Sequence, residues 1–563
     1  VSDTGAAATT MPTTLDAPPG PSARRRIVGL ARRCIVRLAR LACVAALAAC
    51  SLAAQALTPE QARGIATGDT DARIAALNQA VAQGDSALKP FVQALLDDAV
   101  KIAGDRVLVV RDDKAVDAAT QAPVALPATA DDVINNNRMR GALESALSGL
   151  QLFSANPGVR DAAVGELLKQ PLDETQLPLI EKAYAAETVA SIKTRLDRMR
   201  STILIASSDP ARRLAAARAL AASGQSSVRS LLLERLAPGA EADPQVRAAL
   251  HQALTAIERK IAWGERLGVI FTGVSLGSIL LLVALGLAIT YGLMGVINMA
   301  HGELMMIGAY ATYVVQQLFR TYWPGAFDGY VIAAIPASFL AAALVGALLE
   351  RSVIRWLYGR PLETLLATWG ISLVLQQGVR SLFGAQNVLV ENPAWLSGGV
   401  DAMDNLTLPF NRLAIIAFAA LVLAGVSVLI ARTRLGLFVR GVTQNRRMAA
   451  CMGVNTARID TYAFALGSGL AGLAGCALSQ VGNVGPDLGQ GYIVDSFMVV
   501  VLGGVGQLAG TVYAALGLGV LNKLLEGWSG AVLAKIMVLV FIVIFIQKRP
   551  QGIFAMKGRS AEA

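Results

Sequence analysis

The chain has 563 residues, of which only 16% are charged, and a formal net charge of +10. That length allows two or more domains, and the positive mean hydropathy excludes a wholly soluble, charge-rich chain. The basic excess lies mostly in an N-terminal Arg cluster and in short loops between apolar runs, so it reports membrane orientation and points to no nucleic acid; with only His251 and His301, no histidine-based metal site is expected.

Arg24, Arg25, Arg26, Arg32, Arg33, Arg37 and Arg40 precede the apolar run Leu41 to Leu52, and Ala54-Gln55-Ala56 follows. A basic region, a short apolar core and an A-x-A site predict a secretory signal peptide. The run is shorter than the roughly 20 residues a membrane-spanning helix needs. Residues 1–56 are therefore read as a disordered start plus leader, with Met11 as a candidate first residue and cleavage after Ala56. Leu47-Ala48-Ala49-Cys50 offers the alternative of a lipoprotein box. Either way, residues 57–262 are expected to be exported.

This second segment is Ala-rich, well charged and free of cysteine. Three stretches in it repeat a pattern: Asn156-Pro157 with Arg160 and Leu167, Asp209-Pro210 with Arg213 and Leu220, and Asp243-Pro244 with Arg247 and Leu254. Asp69 to Arg73 is a degenerate fourth copy. Asp or Asn before Pro marks a helix start, because the side chain caps free N–H groups and Pro suits the first helical position. Stacked helix pairs of this kind resemble HEAT-like repeats, and the alternative is an irregular helical bundle. Such scaffolds usually bind proteins.

From 263 to 556 the chain alternates long apolar runs with short loops. The runs cover 268–290, 302–319, 330–349, 363–383, 412–431, 458–480, 508–524 and 531–547, which predicts eight crossings. The shorter pieces 291–299 and 494–503 predict two half-helices. Loops after 349 and 432 and the tail from Lys548 are rich in Arg and Lys, while 384–411 has neither. The positive-inside rule then puts the Arg-rich loops, the C-terminus and the tail 557–563 in the cytoplasm, and 384–411 outside. The fold class expected is all-α: an exported helical repeat domain, then a polytopic membrane domain in a bacterial inner membrane, in contact with lipid.

Two breaks stand out within the apolar runs. One carries Asn298, His301 and Glu303, and the other carries Gln507 within Leu502 to Gly510. Polar groups in a spanning segment are costly and usually face a protein interior or a solute path, and broken segments in two halves of a transporter mark its binding region. Two readings of Asn298, His301 and Glu303 stand side by side: they line a path, or they bond one another and cap a half-helix. Gly467, Ser468, Gly469, Gly472 and Gly475 are read as close-packing residues. The loop TRLGLFVRGVTQNRRMAACMGVNTA (433–457) has helix-forming stretches, scattered Arg and a helix-ending Gly453, a pattern suited to lying against a soluble partner.

NMAHGELMMIGAY (298–310), the Gln444 to Asn455 loop and LGGVGQLAGTVYAALGLG (502–519) resemble the branched-chain amino acid permeases of ABC importers. The leader, Asn135-Asn136-Asn137-Arg138-Met139-Arg140 and the fused repeat domain are similar to that family's urea-transport permeases. The resemblance implies a permease that is not itself an enzyme and moves urea or, alternatively, amino acids. It implies a second permease subunit as heterodimer partner, ATP-binding cassette subunits that use the ATP, and a periplasmic substrate-binding protein. No cofactor is expected on this chain, which has no phosphate-binding loop of its own. Arg440, Gln444, Asn445, Arg446, Arg447, Met448 and Gly453 would form the ATPase-coupling loop, with Gly441 standing where relatives often have Ala.

Overall fold

A computed structural model describes residues 57–554 except 84–87, 112–113, 128–129, 170–171 and 173. The leader and the 557–563 tail lie outside the described residues. Two compact units emerge: the chain to Ala222 together with 235–253, and 223–234 together with the chain from Leu254.

The first unit begins with α1 (Pro59–Ala66), α2 (Thr70–Gln83) and α3 (Leu88–Leu96). Thr58 and Gln61 cap α1 reciprocally, each side chain accepting the other's backbone N–H at 3.2 and 3.0 Å. A sheet follows, which corrects the all-α expectation. Its strands are β1 (Val100–Ala103), β2 (Arg106–Arg111), β3 (Lys114–Asp117), β4 (Pro123–Val124) and β5 (Asp131–Asp132), in the order β4-β3-β2-β1-β5. The cause is local: RVLVVR in β2 concentrates β-branched residues, which fit a pleated, half-buried surface. Helix-start signals dominate the flanking sequence and hide it. Leu95, Val100, Met139 and Leu143 share the core that joins helix to sheet. Each such fully buried side chain contributes about 1.5–3 kcal/mol over exposure to water.

Then come α4 (Asn137–Gln151), α5 (Pro157–Leu167), α6 (Leu177–Ala186), α7 (Ala190–Leu204) and α8 (Pro210–Leu220). The repeated starts behave as capped helices: Asn156, Asp209 and Asp243 accept the N–H two residues on at 2.9, 2.9 and 2.8 Å. In the first two copies the repeated Arg is a clasp. Arg160 donates to Glu187 through Nε and Nη2 at 2.8 and 2.9 Å and to the Ser154 carbonyl at 2.8 Å. Arg213 makes the same set to Glu241 at 2.8 and 2.9 Å and to the Ser207 carbonyl at 2.9 Å. Hydrogen bonding from Arg160, helped by the Val189 and Thr188 N–H groups, holds the Glu187 carboxyl down at about 2, and Arg213 likewise lowers that of Glu241. In the degenerate copy, buried Arg73 turns instead to the Ile65 carbonyl and Asn135.

In the second unit lies most of α9 (Ser226–Arg235); α10 (Pro244–Met294), 51 residues long, starts on the third repeat copy and continues into the apolar half. The remaining helices are α11 (His301–Tyr322), α12 (Tyr330–Ser352), α13 (Pro361–Phe383), α14 (Phe410–Arg432), α15 (Arg434–Gln444), α16 (Arg446–Cys451), α17 (Thr456–Ser479), α18 (Leu488–Gly503), α19 (Leu508–Ser529) and α20 (Ala531–Lys548). A hairpin of β6 (Gly399–Met403) and β7 (Leu406–Pro409) sits in the loop before α14.

All eight expected spans are helical. Among the described residues, six helices are long and apolar enough to cross a membrane: α10, α12, α14, α17, α19 and α20. Helices α11 and α13 are as long but carry buried polar faces, which lowers their hydropathy. The two expected half-helices turn out differently. Residues 494–503 end the 16-residue α18. Residues 291–299 do not form a helix of their own, because α10 stops at Met294 and Gly295 takes φ +64°; that backbone suits glycine and breaks the ladder.

The most buried of the six is α17. Its glycines let neighbours touch its backbone, as packing in lipid favours. A Cβ on Gly472 would collide with the Ser338 carbonyl oxygen of α12, and one on Gly475 with that of Met305 on α11. Leu340, Leu344 and Leu348 of α12 point outward, as lipid-facing residues do.

Candidate functional site

The break 295–300 and the helix after it assemble the polar centre. Asn298 accepts the Ala300 N–H at 3.1 Å, closing the turn that starts α11. His301, fully buried, donates Nε2–H to the Val283 carbonyl at 3.1 Å. Glu303 lies in the first turn of α11, where the helix dipole favours a negative charge. Its Oε1 accepts from Ser372 at 3.0 Å and from Gln376 at 2.8 Å. The three side chains therefore do not bond one another. Asn298 Nδ2, His301 Nδ1 and Glu303 Oε2 are buried without a protein partner. Unsatisfied buried polar atoms are costly enough to call for an explanation.

Helix α13 supplies the facing wall. Thr364, Thr368, Ser372, Gln376 and Arg380 recur every four residues, which puts them on one face. Thr368 receives the Met299 N–H at 3.2 Å, and Gln376 accepts from Gln490 of α18 at 3.3 Å. Arg380 closes the row on Asp487 at 2.5 Å. Leu362, Leu366, Trp369 and Leu373 are exposed on the opposite side. The helix is amphipathic in reverse, polar inward and apolar outward. From Thr364 to Gln376 its polar face is a buried track of hydrogen-bonding groups.

Gln507 does not join this centre. It lines a separate cavity of about 360 Å³ with Arg440, Thr443 and Gln444, walled by Ile289, Leu429, Ile430 and Leu466. The structure thus brings Gln507 to the loop carrying Arg440 and Gln444 instead of to Glu303. The loop 433–457 is largely helical. Helix α15 ends at Gln444; Asn445 caps α16 by accepting the Met448 N–H at 2.9 Å; Gly453, with φ +84°, ends it. Arg440, Arg447 and Met448 are exposed, together with Leu437 and Met452. Arg446, also exposed, bonds the buried Asp460 and lies 5.0 Å over the Tyr358 ring.

Sequence reasoning missed Ser372, Gln376 and Gln490, and it also missed Glu350, Tyr358 and Asp460. The four-residue rhythm of polar groups from Thr364 to Arg380 was a readable signal for the first set. For the second set no spacing pattern exists, because the residues meet only in three dimensions. Among the described residues no cluster of metal ligands occurs.

Residues 269–546 match the family model described as branched-chain amino acid transport system / permease component. The permease protein BraD of Pseudomonas aeruginosa, named for high-affinity branched-chain amino acid transport, is 29% identical over 287 residues, covering 50% of this chain and 93% of that protein. The LivH permease protein of Escherichia coli K12, named for the same system, is 28% identical over 293 residues, with the same coverage of 50% and 93%. The ribose import permease protein RbsC of that strain is 34% identical over 98 residues, 16% of this chain and 30% of its own. No solved structure matches. By sequence and by helical build, the multi-pass segment 269–546 is a permease component of the ABC-transporter type.

Proposed function

We propose that the chain is the permease subunit of an ATP-driven importer whose cargo is urea. The observation that carries this reading is the inward polar face of α13 against Glu303, in a helix whose other side is apolar. Urea offers N–H donors on both flanks and one carbonyl acceptor. Side-chain amides and hydroxyls of Thr368, Ser372, Gln376 and Gln490, with one carboxylate acceptor, match that inventory. A zwitterionic amino acid also needs a cation for its carboxylate, and Arg380 is already paired with Asp487. The second reading, branched-chain amino acids, is favoured by the names of the relatives BraD and LivH.

In this reading the cargo comes from a periplasmic binding protein, a second permease completes the path, and ATP-hydrolysing subunits bind the exposed loop 434–453. Eight helices cross the membrane, with α11 largely inside the protein and α13 at its edge, polar face inward. The domain over 57–262 is a periplasmic HEAT-like scaffold that recruits a partner protein. Asp404 accepts the Gly224 N–H at 3.1 Å and Asn405 donates to the Ile261 carbonyl at 3.0 Å. These bonds support placing the 384–411 loop on the same side as residues 224 and 261. Reconstitution of the whole complex with its binding protein tests the cargo. ATP-dependent uptake of labelled urea supports the assignment, whereas uptake of leucine without urea replaces it with the amino acid reading.

A further inference from the structure

We infer that Arg446, Asp460, Tyr358 and Glu350 form a relay that carries movement of the loop 434–453 into the break at 295–300. The inference rests on reading that loop as the ATPase-facing element. Arg446 opens α16, and its guanidinium holds Asp460 of α17 while covering the Tyr358 ring. The Tyr358 hydroxyl faces two acceptors, Met294 Sδ at 3.1 Å and Glu350 Oε1 at 3.3 Å. Glu350, near the end of α12, is fully buried; its Oε2 accepts from Thr461 at 2.6 Å, and Arg355 Nε lies 3.8 Å from its Oε1. Met294 is the last residue of α10 before the break, and Val296 within the break packs with Ile354 and Phe464 beside Tyr358. Tyr358 therefore touches the loop, two spanning helices and the break at once.

A structural clasp alone accounts poorly for the carboxylate. Burying an ion costs several kcal/mol, and apolar residues of similar volume commonly fill such sites without loss of stability. One hydroxyl proton shared between a carboxylate and a thioether gives two discrete bonding states, which is what a two-position element needs. When Arg446 moves with the loop, the Tyr358 ring moves with it, and its hydroxyl exchanges Glu350 for Met294. The break then shifts, and Asn298 and Met299 shift against Thr368 at the inner end of the polar track.

The test uses the assembled, reconstituted complex and measures cargo moved per ATP hydrolysed. Tyr358→Phe keeps the ring under Arg446 and removes only the hydroxyl. It should cut cargo moved per ATP at least fivefold with ATP hydrolysis and assembly unchanged. Asp460→Asn, similar in shape, should give the same split and serves if the first variant does not assemble. Unchanged cargo per ATP in these variants overturns the relay. A separate arm uses Arg447→Glu with Met448→Asp, exposed on the same loop and outside the relay. Co-purification of the ATPase subunits should fall at least tenfold; retained co-purification overturns the docking reading and the relay with it. Lost co-purification beside normal coupling in Tyr358→Phe overturns the relay alone.

Discussion

Glu303 and Glu350 show how differently two buried carboxylates are held. Glu303 keeps one oxygen satisfied by Ser372 and Gln376 and the other free of protein partners. Both oxygens of Glu350 are engaged, one by Tyr358 with Arg355 3.8 Å away and the other by Thr461. Glu303→Gln places an amide donor where an acceptor faced the track, and hydrogen bonds to a charged group are worth about 1.5–3 kcal/mol. Uptake should fall roughly tenfold, since about 1.4 kcal/mol is a factor of ten, while ATP hydrolysis continues. Uptake kinetics on equal amounts of inserted complex check this, and unchanged uptake would assign Glu303 to packing. Gly441 is a second informative residue. It is exposed in α15, and a Cβ there meets nothing within 4 Å. Gly441→Ala should therefore stabilise that helix by about 1 kcal/mol, seen as slower hydrogen exchange across 434–444 with uptake retained.

At the level of elements, the repeat was legible and its clasp was not. The Asn-Pro and Asp-Pro starts predicted the capped helices correctly because capping is a local interaction. Glu187 and Glu241 lie 27 and 28 residues from their Arg partners, beyond any local signal. The clasps give the first unit an acid sensitivity with a definite sign. Glu187 has a folded-state value of about 2, below its ordinary 4.5. Its contribution is full above the ordinary value and is lost as pH falls from there through about 2. The thermal stability of the unit should thus fall as pH drops through that interval. Arg160→Ala leaves the Glu187 carboxylate buried without its cation, a strongly destabilising change. It should lower the unfolding midpoint by several degrees at neutral pH and flatten the pH dependence. An unaltered acid profile in that variant would assign the effect to other carboxylates. The sheet from Val100 to Asp132 was hidden by the helix-start signals around it, and the reversed amphipathicity of α13 was hidden by averaging. Average hydropathy records how apolar a segment is and not which side faces protein.

For the molecule as a whole, the breaks at Gly295 and Gly504 and the long apolar runs made the permease architecture readable. The separation of roles did not show until the chain was folded. Glu303 and the α13 face form one centre, while Gln507 joins Arg440 and Gln444 in another. The proposed topology has its own test: cysteines placed at 447 and 401 should react with membrane-impermeant reagents from opposite sides, 447 from the cytoplasm. The most direct measurement of the central claim is ATP-dependent uptake of labelled urea into vesicles carrying the complete complex, wild type against Gln376→Leu. Gln376 bridges Glu303 and Gln490, so its loss should interrupt the track. The account predicts that wild type accumulates urea and that the variant hydrolyses ATP while losing most of its uptake. Equal urea uptake by the two would contradict a path along α13.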